Sequence, residues 1–159
     1  MITDSDRAAL RVMLERDEGK RAYPYDDATG RGIVVQGKVT IGIGRNLTDV
    51  GLHDDEIELL ISNDIAAAVR DLERAIPWAL ELPALERRVM INLTFNLGIA
   101  GLLKFRTFLG AMQRRDAAAA VAALKDSKWH NQVGARAVRL ESMITFGDDR
   151  ATPPGELKA

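Results

Sequence analysis

Three residues within Asp17 to Arg45, DEGKRAYPYDDATGRGIVVQGKVTIGIGR, have types and spacing suited to acid–base chemistry: Glu18, Asp27 and Thr40. Glu18 closes a segment with helix-spaced apolar side chains at Leu10, Met13 and Leu14, and Gly19 stands where a helix usually stops. A carboxyl there meets the negative end of the helix macrodipole, and burial would act in the same direction, so its protonated form is favoured. That is what a general acid requires. Asp27, nine residues on, lies in the polar, turn-like DDATG and should stay ionised. Thr40 heads the TIGIG run, and its hydroxyl could hold a water molecule beside Asp27. Two carboxyls pushed apart by different surroundings suggest glycoside hydrolysis. The plainer alternative is a helix end followed by a solvated turn, and Asp26 beside Asp27 leaves the second carboxylate ambiguous.

Helix, turn and strand must follow one another to place these groups. The first helix is predicted from near Thr3–Ser5 to Glu18–Gly19, with Thr3 or Ser5 as cap and Asp6 in its first turn. Ile33–Gln36 and Lys38–Ile43 read as two antiparallel strands around a tight turn at Gly37. Gly42 and Gly44 weaken a strand, and fit a backbone passing close to a neighbour or a bound sugar. A long helix is predicted over Asp54–Ala75, apolar at Ile57, Leu60, Ile61, Ile65, Ala68 and Leu72, acidic at its start and closed by Pro77. Pro83 opens a helix with the apolar stripe Val89, Met90, Leu93 and Leu97, stopped by Gly98 and expected to be the buried centre.

Further on, Thr107 is expected to cap Phe108–Arg114 and Asp116 to cap Ala117–Leu124. Ser127–Gly134 reads as a loop or short turn and Ala135–Ile144 as a last helix, with a mobile tail after Phe146. Trp129 is expected as a core anchor and Trp78 as a plug between surface and core.

The chain's 159 residues suit one domain, and 47% hydrophobic content argues against disorder. There is no cysteine, hence no disulfide or thiolate metal site. His53 and His130 are too far apart and too poor in partners to argue for a metal. No apolar run approaches a membrane span, and MITDSDRAAL lacks a secretory apolar region. Net charge is −1 but uneven: −6 over 1–85, +7 over 86–139 and −2 over 140–159. The basic segment could face an anionic polymer such as cell wall, or be an ordinary solvated surface. Nothing in it resembles a nucleic-acid motif.

DEG, then Tyr25 and Asp27, then TIGIG resembles the phage-type lysozymes, a family of glycoside hydrolases that includes the T-even phage enzymes and related endolysins. RRVMINLTFNLG (Arg87 to Gly98) looks like that family's central helix, and SKWHNQ with Arg136 and Arg139 like its C-terminal motif. The resemblance spans roughly Leu10 to Thr145 in order. It implies Glu18, Asp27 and Thr40 as the catalytic set, and selects Asp27 over Asp26. It also implies an α+β, mostly helical fold, with a small β-containing lobe (about 20–52), a helical lobe (77–147), a long helix between them and a cleft.

By the same resemblance, Phe95 could pack on a sugar face and Asn96 could bind an acetamido group; the plain alternatives are core filling and a helix-end cap. Arg136 resembles an arginine that pairs with the catalytic Glu. It would favour the charged carboxyl, against the dipole, and an orienting role is expected. Two departures stand out. Arg45 occupies the place of a His in T-even phage members, and an Arg45–Asp64 pair is expected to replace a His–Asp pair. Residues 28–39 form a longer segment, expected to extend the hairpin at the cleft edge.

The expected function is hydrolysis of the N-acetylmuramic acid–N-acetylglucosamine β-1,4 bond of bacterial peptidoglycan, without a cofactor, by a monomer made in the host cytoplasm and released through a holin. The rivals are a lytic transglycosylase and a non-catalytic wall-binding or structural phage protein.

Overall fold

A computed structural model describes residues 2–26 and 29–147. Asp27 and the expected tail, 148–159, lie outside the described residues. Among the described residues seven α-helices surround one core, beside a two-stranded antiparallel sheet. This is the α+β, mostly helical architecture expected.

Helix α1 (Asp4–Glu18) begins at a reciprocal cap. The Asp6 amide donates to Thr3 Oγ1 (3.1 Å), and the Thr3 amide and hydroxyl donate to the Asp6 carboxylate (3.1 and 2.9 Å). The same carboxylate accepts from Arg87 and, at 3.0 Å, from Arg88. Asp6 is thus a buried anion tying the start of α1 to the middle of the chain. Burial opposes its ionisation, but the Thr3 amide, Arg87, the Thr3 hydroxyl and Arg88 outweigh it and hold the carboxyl at about 2. A depressed carboxyl stabilises the fold above its unfolded value and loses that contribution as pH falls through the folded one. Asp6→Asn should therefore cost about 2 kcal/mol at neutral pH. In urea melts, the difference from wild type should shrink between pH 4 and pH 2.

The strands are shorter than predicted. Strand β1 (Thr40–Ile41) pairs with β2 (Arg45–Asn46), Thr40 opposite Asn46, around Gly42–Gly44. Ile33–Gln36 is not a strand. Residues 29–33 fold back on Pro24–Asp26 instead, through a bridge between Tyr25 and Gly32 and the Asp26 amide donating to the Arg31 carbonyl at 2.7 Å. Val34 and Ile43 are fully exposed, so the β-branched run has no buried face to reward pairing. The extended hairpin expected for 28–39 does not form among the described residues.

The loop after β2 is pinned at Gly51, whose φ of +69° is combined with close packing: a Cβ there would lie 2.7 Å from the Ala22 carbonyl oxygen and 3.0 Å from the Tyr23 ring. Gly51→Ala should destabilise by about 2 kcal/mol, read as a lower urea midpoint.

Helix α2 (Asp54–Ala75) has the predicted bounds and buries Ile65, Ala68 and Leu72. A short 3₁₀ turn, Pro77–Glu81, leads to α3 (Ala84–Leu102), whose Val89, Met90, Ile91 and Leu93 are wholly buried. The helices α1, α2 and α7 (Ala135–Phe146) pack against α3, making it the central helix as expected. Gly98 breaks it (φ 66°, ψ 160°), but a further turn continues to Leu102.

Helix α4 spans Arg106–Gln113, so Thr107 lies inside it and Phe105 takes the cap position. Helix α5 (Ala117–Lys125) starts at Asp116, which accepts from the Ala119 amide as predicted. Helix α6 (Lys128–Val133), capped by Ser127, stands where a loop or short turn is predicted, and buries Trp129. Trp78 is partly buried against the core.

Candidate active site

Glu18 is the last residue of α1, and its side chain is 45% exposed at a cleft of about 360 Å³. The cleft runs between the end of α1, the following loop and α2, with Phe95 of α3 in its wall. Gly19 (φ 75°) turns the chain away immediately after the carboxyl. Arg136 of α7, almost wholly buried, donates Nη2 to Glu18 Oε1 at 2.7 Å. The expected Glu18–Arg136 pair is present.

Behind it lies a group that sequence reasoning did not single out. The Asp17 side chain is only 1% exposed. Its carboxylate accepts from Arg136 Nε (3.1 Å), Arg139 Nη2 (2.5 Å) and Asn92 Nδ2 (3.1 Å). Burial opposes its ionisation, and Arg139, Asn92 and Arg136 together overcome it and hold the carboxyl below its ordinary value. Arg136 therefore bridges two consecutive acids. Asp17 fixes one edge of the guanidinium, and the other edge is aimed at Glu18. The signals in sequence were the adjacent acids and the basic excess over 86–139. Much of that excess is consumed internally: Arg87 and Arg88 on Asp6, Arg136 and Arg139 on Asp17. It joins α1 to α3 and α7, rather than standing as a free cationic face.

The other predicted site residues divide. Phe95 and Asp64 line the same cleft as Glu18. Thr40 is exposed at the head of β1 and does not contribute to that lining. Asn96 is engaged elsewhere: its Oδ1 accepts from Trp129 Nε1 at 2.7 Å, and its amide nitrogen has no partner among the described residues. The Arg45–Asp64 pair is not formed. Arg45 pairs with Glu56, which also accepts from the His53 amide at 2.8 Å. Glu56 sits in the first turn of α2, near β2, whereas Asp64 lies eight residues, about 12 Å, farther along the helix. Asp64 has no ion-pair partner among the described residues. No group of His, Cys, Asp and Glu suited to a metal occurs among them either.

A helical body, a small sheet and an acid at the end of the first helix, facing a cleft, define a lysozyme-like fold. The sequence model of phage lysozyme matches residues 15–143, and the chain belongs to the phage lysozyme family. It is similar to the pre-baseplate central spike protein Gp5 of Enterobacteria phage T4, 27% identical over 98% of this chain, and spans about a third (32%) of that protein's length. It is also similar to two probable T4-type lysozymes, 1 and 2, of Dictyostelium discoideum, each 24% identical over 88% of this chain and 95% of theirs.

Proposed function

We propose that the protein is an endolysin-type muramidase. It hydrolyses the β-1,4 bond between N-acetylmuramic acid and N-acetylglucosamine in bacterial peptidoglycan, causing lysis. The observation that carries this reading is the carboxyl of Glu18, placed at a cleft by a helix end and oriented by a buried arginine, within a chain of the phage lysozyme family.

In this reading Glu18 protonates the glycosidic oxygen as the bond breaks. The developing positive charge at the anomeric carbon is met by water from the opposite face. Asp27, with Thr40, positions and activates that water. Inversion follows, and requires the two carboxyls to stand about 6.5–9.5 Å apart so that water fits between them. Arg136 keeps the Glu18 carboxyl in one orientation, so that its proton reaches the leaving oxygen without a search. Phe95 offers a face to a sugar ring, and the amide nitrogen of Asn96, without a partner among the described residues, a donor to an acetamido oxygen. Residues 20–52 would form one side of the substrate groove and 77–147 the other. The protein would be made in the host cytoplasm, act as a monomer and reach the wall after a holin opens the membrane. No described helix is long and apolar enough to cross a membrane by itself.

Purified peptidoglycan tests this directly. Added protein should lower the turbidity of a wall suspension. Binding to walls without clearing would remove the enzyme reading and favour a second one, a non-catalytic wall-binding or structural phage protein; likeness to the T4 spike protein supports a place in a phage particle.

A further inference from the structure

We propose that Arg21 is a substrate anchor whose guanidinium, held over Tyr25 beside the Glu18 cleft, takes a carboxylate of the peptidoglycan strand; this rests on the muramidase reading of that cleft. Three cations line the cleft: Arg11, Lys20 and Arg21. Arg11 is paired with Glu58, and Lys20 with Asp54 at 2.8 Å. Arg21 has no carboxylate partner among the described residues. Its guanidinium carbon lies 5.5 Å from the Tyr25 ring centroid. At that distance the ring's negative face restrains a flexible side chain without neutralising its charge. The Tyr25 backbone is held by the bridge to Gly32.

The result is a planar, charged fork at the cleft whose donors meet no acceptor among the described residues, the arrangement that suits two-point recognition of a carboxylate. Elsewhere the described lining of the cleft carries the acids Glu15, Glu18, Glu58 and Asp64, so a carboxylate entering it has one favourable place to settle. The peptidoglycan strand supplies this chemistry from two sources: the lactyl group of muramic acid where the peptide is absent, and the stem peptide where it is present.

Calorimetry with soluble disaccharides that lack the scissile bond separates these sources. The probes are N-acetylglucosaminyl-N-acetylmuramic acid with and without its stem peptide, and the methyl ester of each. Arg21→Gln should weaken binding of the relevant acid by about tenfold, as expected for one charge-assisted contact. Esterification should cost wild type the same factor and cost Arg21→Gln nothing, a difference that a merely structural role would not produce. The acid probe that shows the loss identifies the source. The anchor is overturned if wild type binds neither acid, if Arg21→Gln binds both as wild type does, or if esterification weakens both proteins equally. Hydrolysis of purified wall, measured alongside, keeps the two readings apart. Wall hydrolysis with the same KM in both proteins removes the anchor and leaves the muramidase. Arg21-dependent binding without hydrolysis does the reverse.

Discussion

Glu18→Gln is expected to reduce wall hydrolysis by about 10²–10⁴-fold, the range that a positioned general acid supplies, while the protein stays folded. Gln keeps the shape of the side chain and can still accept from Arg136, but has no proton to give. Stability should change by only about 0–1 kcal/mol, because the Glu18 side chain is half-exposed and its ion pair is screened by water. Arg136 is not stranded by the substitution, since its Nε remains on Asp17 at 3.1 Å. Initial clearing rates together with a circular-dichroism melt read both quantities. Loss of activity accompanied by loss of fold would point to a structural role for Glu18 instead.

Asp17→Ala should behave in the opposite way and damage the fold first. It leaves Arg136 and Arg139 buried without their common anion, and takes the acceptor from Asn92. Removing one partner of a buried ion pair costs about 3–5 kcal/mol, which in a chain of this length lowers the melting temperature by roughly 10 °C. The network has no reserve, since Arg139 Nε and Asn92 Oδ1 are already buried without hydrogen-bond partners among the described residues. Activity of the folded fraction should also fall, because Arg136 loses the contact that aims it at Glu18. The ionised Asp17 is held below the ordinary carboxylate range, so its contribution is present above that range and fades as pH falls below it. The stability gap between wild type and Asp17→Ala, measured in urea, should therefore narrow in acid. A gap that widened as pH fell would contradict the ion-pair account.

Local signals made the helices readable. The bounds of α1 and α2 follow from Thr3, Gly19, the acids at Asp54–Glu56 and Pro77, each acting within one turn of its own helix. Helix α3 was legible because Val89, Met90 and Leu93 share a face. Where tertiary context decides, the reading failed. Ile33–Val35 has strand-forming residues, yet nothing packs on it, and pairing begins only where Gly42–Gly44 turns Thr40–Ile41 back on Arg45–Asn46. The Arg45 partner was misplaced because the resemblance carried over the position of a His–Asp pair, whereas the Arg45 guanidinium pairs with Glu56 in the first turn of α2. Asp17 was passed over for a similar reason: an acid beside Glu18 reads as solvated until Arg136, 119 residues away, is seen against it. The Glu18–Arg136 pair was expected only through family resemblance, not through any local pattern.

The central claim is that Glu18 drives addition of water across the muramyl bond, and the chemistry of the new chain ends tests it most directly. Purified peptidoglycan digested by wild type, reduced with borohydride and analysed by mass spectrometry should yield fragments ending in reduced N-acetylmuramic acid, with none from Glu18→Gln. Fragments ending in 1,6-anhydro-muramic acid would show that no water was added, and would make the protein a transglycosylase. Reducing ends on N-acetylglucosamine, or equal yields from the variant, would contradict the bond or the acid assigned here.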